Sequence, residues 1–381
     1  MLEFNGARLK NARLYRGWTV EELAKKVNIS KQAISLYENN KNYPSMEKII
    51  ALAKELKFPY EYFMQSEDLN VKSGATYFRS LMKTSKKYRK EQVVKMEHLA
   101  RIFSVLKEYI TFRDLRLPAA KEYSSPAEAA HILREYWGLG DEPISNIIRV
   151  LESNGIIVTM FPTSTNDIDA FSQYVKMDDC SVFLIALSKN KDSAVRIHFD
   201  VAHELGHIIL HGWNDDTEMF TREEFKEKEK EANEFAAAFL MPQNTFTEDV
   251  SKNPTSFDYY CNLKRKWKVS IAAMLYRSRD LDLISFFQYQ YMMRVMKKKN
   301  WRVNEPLDDM LMTAQPSVLR DAVALLLDHN VFTSNEFMDE LAKNGIPMTY
   351  QEVEILLGLP FEMLKPKRQG KIIKLKEKYD K

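Results

Sequence analysis

His203-Glu204-Leu205-Gly206-His207 sets two imidazoles four residues apart with a carboxylate beside the first. On a helix, residues at i and i+4 stand on one face about 6 Å apart, so both rings can reach one zinc ion. Glu204 can then hold the water that the ion binds. Neutral imidazoles leave zinc acidic enough to bring that water near a pKa of about 7, and a neighbouring carboxylate takes the proton and delivers it to a leaving amine. The chemistry implied is hydrolysis of a peptide bond. Val201, Ala202, Leu205, Ile208, Ile209 and Leu210 surround the pattern, so the helix is apolar on nearly every side and is expected to be buried. Ionisable groups are costly there unless ligated or paired, which sets this helix apart from a solvated one with a chance pair of histidines.

A zinc site with two histidines needs a third protein ligand and an open position. A second expected helix, Phe225 to Leu240, offers carboxylates, of which Glu229 is the preferred one. Glu229, Ala232, Asn233 and Ala236 follow one another at helical spacing and make a narrow stripe that can approach the histidine helix closely. Asn233, one turn after Glu229, can orient a ligand histidine through its other ring nitrogen. Glu227 and Glu231 lie on the same helix, and helix phase does not exclude them. His211, one turn past His207, would diverge along the axis rather than close a tetrahedron, so it is expected in a supporting position. His198 reads as a packing or hydrogen-bonding residue. A donor for the oxyanion of peptide hydrolysis is also required, and Tyr174 and His198 are the candidates.

The elements that would carry this centre lie downstream of a distinct N-terminal unit. Leu9, Ala12 and Leu14, then Leu23, Ala24 and Val27, then Ala33, Ile34 and Tyr37, and then Ile49, Leu52, Ala53 and Leu56 trace four or five short helices. Thr19 with Glu22 forms a capping box, Ser30 caps the next helix, and Pro44-Ser45 opens another. Val20 to Val27 and Lys31 to Glu38, joined by Asn28-Ile29-Ser30, make a helix-turn-helix. Lys31, Gln32 and Ser35 are then the candidates for base edges, and Arg16, Asn39 and Lys41 for phosphates. Residues 1–65 hold eleven Lys/Arg and seven Asp/Glu, a charge of +4 (11 − 7) against +3 for the whole chain, so the basic footprint is local.

These residues carry a family resemblance. The first 65 positions resemble the helix-turn-helix domain of the phage-repressor/XRE family, through Leu9-Lys10-Asn11-Ala12-Arg13, Thr19-Val20-Glu21-Glu22-Leu23-Ala24, Ser30 to Glu38 and Pro44-Ser45. Residues from about 70 to 310 resemble the ImmA/IrrE family of zinc metallopeptidases. The match runs through Phe199 to His211 and Glu229 to Pro242, with weaker echoes at Leu151 to Ile156 and Trp301 to Pro306. The chain departs from that pattern at Asp200, where threonine or a similar residue is usual. The resemblance implies a small sheet against the histidine helix, zinc ligands at His203, His207 and Glu229, and Glu204 as the base. It also implies a role in cleaving, or acting with, a cognate repressor to switch on prophage, mobile-element or stress genes.

The rest of the chain frames these parts. The fold class expected is mainly α with a small β-sheet: an N-terminal all-α helix-turn-helix domain at 1–65, a linker and basic amphipathic helix at 66–120, a central α+β zincin-like peptidase domain at 121–260, and a helical region at 261–381. Gln65 to Gly74 reads as a polar linker. A helix from about Thr76 to Phe112 carries the basic cluster Lys83, Lys86, Lys87, Arg89 and Lys90 on a face expected to be solvated, with contact to DNA flanking an operator as the other reading. Helices Pro126 to Tyr136 and Ser145 to Ser153 precede the β-branched run Ile156 to Met160. Ser181 to Leu187 is a second such run in a partly antiparallel sheet; Ser181 to Ser188 is the candidate edge for a substrate strand, with a buried central strand as the competing reading that its apolar character offers. Beyond Asn262 the chain is helical, with Tyr276 to Met296 amphipathic, Ser317 to Leu327, Ser334 to Lys343 and Tyr350 to Leu357 shorter, and a lysine-rich tail from Lys365 to Lys381. Cys180 and Cys261 stand alone and fit a reducing cytoplasm. No apolar run approaches the length of a membrane span, and no apolar leader opens the chain.

The partners expected are double-stranded operator DNA and a protein substrate, a small repressor, with a homodimer on two half-sites and no membrane. Zinc is the expected ion, although this donor set also accepts Mn, Co or Fe. Two other readings stay open. One is a DNA-binding regulator with a non-proteolytic zinc site, and the other a toxin or defence component of a two-gene system.

Overall fold

The structure is a computed structural model that describes residues 3–65, 72–78, 85–119, 122–177, 181–190, 193–211, 220–312 and 314–366, with the strand 72–78 described by its backbone. Lys83, Cys180, most of the Gln65 to Gly74 segment and all but the start of the lysine-rich tail fall outside these residues.

At the N-terminus, α1 (Gly6–Tyr15), α2 (Val20–Val27), α3 (Lys31–Glu38) and α4 (Met46–Leu56) precede a 3-10 turn, Tyr60–Met64. The expected caps form: Thr19 and Glu22 close a capping box, and Ser30 accepts from the N–H of Ala33. Ser45 makes no side-chain cap. Asn28 ends α2 in the left-handed region at φ 51°, which Asn tolerates and which turns the chain tightly into α3. Leu9, Ala12, Leu23, Ile34, Leu52 and Leu56 are buried, and Arg13 pairs in a two-pronged contact with Glu38 inside that core.

The next segment departs from expectation. Instead of a helix from Thr76, residues Lys72–Phe78 form β1, and α5 spans Lys86–Tyr109. Gly74 disfavours a helical start, and the outer edge of the sheet offers unpaired backbone groups that this stretch satisfies.

The central elements are α6 (Pro126–Trp137), α7 (Ile147–Ser153), β2 (Ile157–Phe161), β3 (Ala170–Lys176), β4 (Ser181–Ser188), α8 (Ala194–Leu210) and α9 (Arg222–Leu240). The sheet runs β1-β3-β4-β2, with β4 parallel to β2 and antiparallel to β3. The expectation that Ser181 to Ser188 is an edge is therefore corrected: β4 lies inside, and Val182 to Leu187 are all buried. An uninterrupted apolar run is the pattern of a strand covered on both faces, and here burial outweighs the appeal of an open edge.

The two sheet faces belong to two cores. Val158, Phe183, Ile185 and Leu187 pack with Val201, Leu205, Phe235 and Phe239 of α8 and α9. Ile157, Phe171, Val175, Leu184 and Ala186 pack with α5, with the N-terminal helices and with the last helices of the chain.

Those last helices divide between the cores. The helices α10 (Gln243–Val250), α11 (Phe257–Trp267), α12 (Ile271–Asp280) and α13 (Phe286–Lys298) join the core of α8 and α9. The helices α14 (Val318–Asp328), α15 (Ser334–Lys343) and α16 (Tyr350–Leu357) return to the opposite side. Tyr276 to Met296 is thus not one helix: Asp282 turns at φ 56°, and Ser285 with Gln288 caps a new start. The Trp301 to Pro306 segment has a structural use. Glu305 accepts from the N–H of Ile271 (2.7 Å) and Ala272 (3.1 Å) at the start of α12 and pairs with buried Lys264 at 2.9 Å.

One histidine fastens the N-terminal unit to the rest. His98 of α5 enters the aromatic cluster of Tyr15, Phe58 and Tyr62, with ring centroids 5.4, 6.1 and 5.8 Å away. Its Nδ1 donates to Val94 O at 2.8 Å, so its Nε2 accepts from the Tyr62 hydroxyl at 2.8 Å. Burial, above all, lowers its pKa from 6.5 to about 3. As pH falls, the unfolded chain takes up this proton first, so the stability from neutral His98 is complete above pH 6.5 and is lost progressively toward pH 3. The loss is at most about 1.4 kcal/mol per pH unit. Urea unfolding near neutrality and at about pH 4.5 should therefore show a smaller acid loss in His98→Gln than in wild type, with equal losses overturning the assignment.

Candidate metal centre

The two helices that carry the centre meet where neither has bulk. A Cβ on Gly206 would lie 3.1 Å from Ala232 O, 3.1 Å from Phe235 Cδ1 and 3.2 Å from Ala232 Cα. Gly206 and the Ala232/Ala236 stripe thus let α8 and α9 approach closely. That approach carries Glu229 to the two imidazoles. His203, Glu204 and His207 have no exposed surface.

His203 Nε2 and His207 Nε2 lie 3.1 Å apart, Glu229 Oε1 lies 3.2 Å from His207 Nε2, and Glu229 Oε2 lies 3.5 Å from His203 Nε2. A tetrahedral ion with bonds of about 2.0–2.1 Å holds its donors about 3.3 Å apart, so this spacing fits a common central point. Glu229 Oε1 is buried and makes no hydrogen bond, as suits an atom turned to that point rather than to a proton. Burial alone would raise the Glu229 carboxyl, but imidazoles that carry a proton on Nε2 outweigh burial and lower it to about 2; a bound cation would stand in for those protons. His203, His207 and Glu229 are the residues that can hold a metal ion, their donor atoms all within 4.8 Å of one another.

Each imidazole is also held from behind. His203 Nδ1 lies 3.2 Å from Asn233 Oδ1, and Asn233 Nδ2 donates to Glu229 O at 2.6 Å. Since an amide oxygen only accepts, His203 Nδ1 carries the proton and Nε2 keeps its lone pair for a metal. His207 Nδ1 lies 2.9 Å from His211 Nδ1, and His211 Nε2 lies 3.0 Å from Glu231 Oε2. The consistent assignment has His207 Nδ1–H donating to His211, whose own proton sits on Nε2 and goes to Glu231. Burial first, then the nearby imidazole of His207, lowers His211 to about 2, in keeping with a neutral ring. Glu231, left open beside Glu229 by helix phase, is thereby placed behind His211.

Glu204 meets a residue that no sequence pattern marks. Ser172 of β3, itself fully buried, donates its hydroxyl to Glu204 Oε2 at 2.5 Å. Ser172 and Gln173 interrupt the apolar character of Ala170 to Lys176, so no sequence pattern marks this stretch as a strand. Only the β3–β4 pairing turns Ser172 toward α8. Tyr174 shares that face of β3, with its ring 4.8 Å from Phe183. His198 does not join the site. It lies nine residues before His207 (207 − 198), about half a turn of the helix surface away, and lines a separate cavity. Asp200, the departure from the family pattern, is buried on α8.

On the helix-turn-helix, Lys31, Gln32, Ser35, Asn39 and Lys41 are exposed together on α3 and the turn after it. Arg16 departs from the phosphate-binding expectation. Its guanidinium pairs with Glu352 of α16 at 2.7 Å and donates to Leu56 O at 2.6 Å, so it joins the N-terminal unit to the C-terminal helices. Lys87 of the basic cluster likewise pairs with Glu22 of α2 at 2.7 Å.

Because Asn233 fixes the tautomer of His203, Asn233→Ala should weaken metal binding by about 10–100-fold while leaving the helical circular dichroism intact. Competition with a metallochromic chelator reads the affinity. An unchanged affinity would mean that the Asn233 contact does not orient the ring.

Two stretches of the chain match known protein families. Residues 152–279 match a peptidase family described as the IrrE N-terminal-like domain, and residues 9–63 match the helix-turn-helix family. The first span includes β2, β3, β4, α8 and α9, and hence His203, Glu204, His207 and Glu229; the second runs from within α1 through α4. No curated protein matches the chain. The chain thus joins an XRE-type helix-turn-helix DNA-binding domain to an ImmA/IrrE-type metallopeptidase domain.

Proposed function

We propose that this chain is a DNA-binding zinc endopeptidase that regulates transcription by cutting a small cognate repressor of a prophage, mobile element or stress regulon. The observation that carries the reading is the convergence of His203, His207 and Glu229, with Glu204 on the same helix and its carboxylate held by Ser172. Zinc bound to that trio supplies a Lewis acid for the scissile carbonyl and lowers the pKa of water toward about 7. Glu204 takes the proton of the attacking water and returns it to the leaving amine. Ser172 fixes one oxygen of that carboxylate, and Asn233 and His211 hold the two imidazoles with Nε2 inward.

The DNA half of the proposal rests on the exposed set Lys31, Gln32 and Ser35 for base edges and Asn39 and Lys41 for phosphates, with double-stranded operator DNA as the partner. We further propose a homodimer on two half-sites, a cytoplasmic setting, and a division into units 1–65, 66–120, 121–260 and 261–381. Among the described residues no helix is long and apolar enough to cross a membrane.

The direct test incubates wild type and Glu204→Gln, each with stoichiometric zinc, with the repressor encoded next to this chain, and identifies fragments by mass spectrometry. Wild type should cut at a defined bond, and Glu204→Gln should bind zinc but not cut. Binding without cleavage by either protein would favour a non-proteolytic regulator. Growth arrest on induction with a different substrate would favour a toxin.

For DNA, Lys41→Ala should reduce the slope of log affinity against log salt by about 1, whereas Arg16→Ala should leave it unchanged. Fluorescence anisotropy across a salt series checks both, and a slope lowered by Arg16→Ala would return that residue to the phosphate contacts.

A further inference from the structure

The geometry points to a second binding site, for a small amphipathic carboxylate, at the start of α8 on the side away from His203 and His207. A cavity of about 430 Å³ opens there, within the range of small-molecule pockets. Its walls are Ile147 and Ile148 of α7, Val195 and Ile197 of α8, and Met310 and Leu311.

The polar groups at the cavity favour an anion. The N–H groups of Arg196 and Ile197 both go to Ser193 O at 3.1 Å, which leaves Ala194 and Val195 as the first-turn donors with no carbonyl in their own helix, and Ser193 supplies no side-chain cap. The 17-residue α8 also places the positive end of its dipole there. His198, only 7% exposed, lines the same cavity, and its Nε2 is buried without a hydrogen-bond partner. Orphaned buried polar atoms are rare in folded proteins, and the His198 Nε2 at this cavity calls for a partner. Burial first, then the charge of Lys268, lowers His198 to about 3, so the ring is a neutral hydrogen-bonding group. Lys268 also lines the cavity. One of its three donors goes to Ser145 O at 2.7 Å, and the ammonium supplies the positive charge.

A carboxylate matches this end of the cavity, and the apolar wall takes a hydrocarbon chain of moderate length. The occupant would rest on the helix that, further along, carries both metal-binding imidazoles, yet touch neither of them.

The test uses the full chain and three probes: octanoate, octan-1-ol and acetate. Octanoate should bind saturably by calorimetry, one per chain, and raise Tm. Octan-1-ol lacks the charge and acetate lacks the tail, so each should bind at least about tenfold more weakly. Lys268→Gln, at a half-buried position, and Ala194→Trp, which fills the cavity mouth, should each weaken octanoate by about tenfold or more while keeping the wild-type unfolding midpoint. Nitrogen-15 spectra of the histidines should show the His198 ring shifting as octanoate is added. The site is overturned if octanoate does not saturate below millimolar concentration, if octan-1-ol binds equally well, or if both variants bind octanoate as wild type does. None of these readouts requires peptidase activity, so failure here and failure of the proposed function are separately visible.

Discussion

The close crossing of α8 and α9 governs the centre of this protein. Gly206 leaves 3.1 Å where a Cβ would meet Ala232 O, and any larger side chain would push the helices apart. The donors of a metal trio tolerate little such movement, because bonds of about 2 Å leave no slack between ligands on different helices. Gly206, Ala232 and Ala236 contribute no chemistry, yet they set the distance from Glu229 to the two imidazoles. The apolar residues around them keep water out and the helices rigid, so His203 and His207 stay where Asn233 and His211 hold them.

The sheet serves two masters through one strand. On β3, Ser172 turns toward α8 and meets Glu204, whereas Phe171 and Val175 turn toward α5 and the core shared with the N-terminal helices. A strand with alternate residues on opposite faces is therefore the wall between the metal centre and the DNA-binding unit. Helices α14 to α16 close the far side, with Thr159 of β2 donating to Leu356 O at 2.6 Å.

The helix-turn-helix is thus built into the chain's main cores rather than tethered beside them. His98 enters its aromatic cluster, Arg16 reaches Glu352 and Lys87 reaches Glu22. These contacts use one side of the unit and leave the start of α3 facing solvent. Two basic residues that composition alone would assign to DNA or to solvent, Arg16 and Lys87, instead act as intramolecular fasteners.

The sequence by itself determined what depends on local spacing: the i, i+4 histidines with Glu204 between them, the stripe of Glu229 and Asn233, the capped short helices of the N-terminal unit, and the apolar run of β4. Helix and strand periods translate directly into faces, so these features were legible without coordinates. Only the tertiary structure decided which carboxylate of α9 turns inward, that Ser172 meets Glu204, that β4 is interior, that residues 72–78 add a strand, and that Arg16 is spent on Glu352. Each of these pairs groups far apart in the chain, and the reach of one element to another is set by packing and strand register rather than by any local pattern.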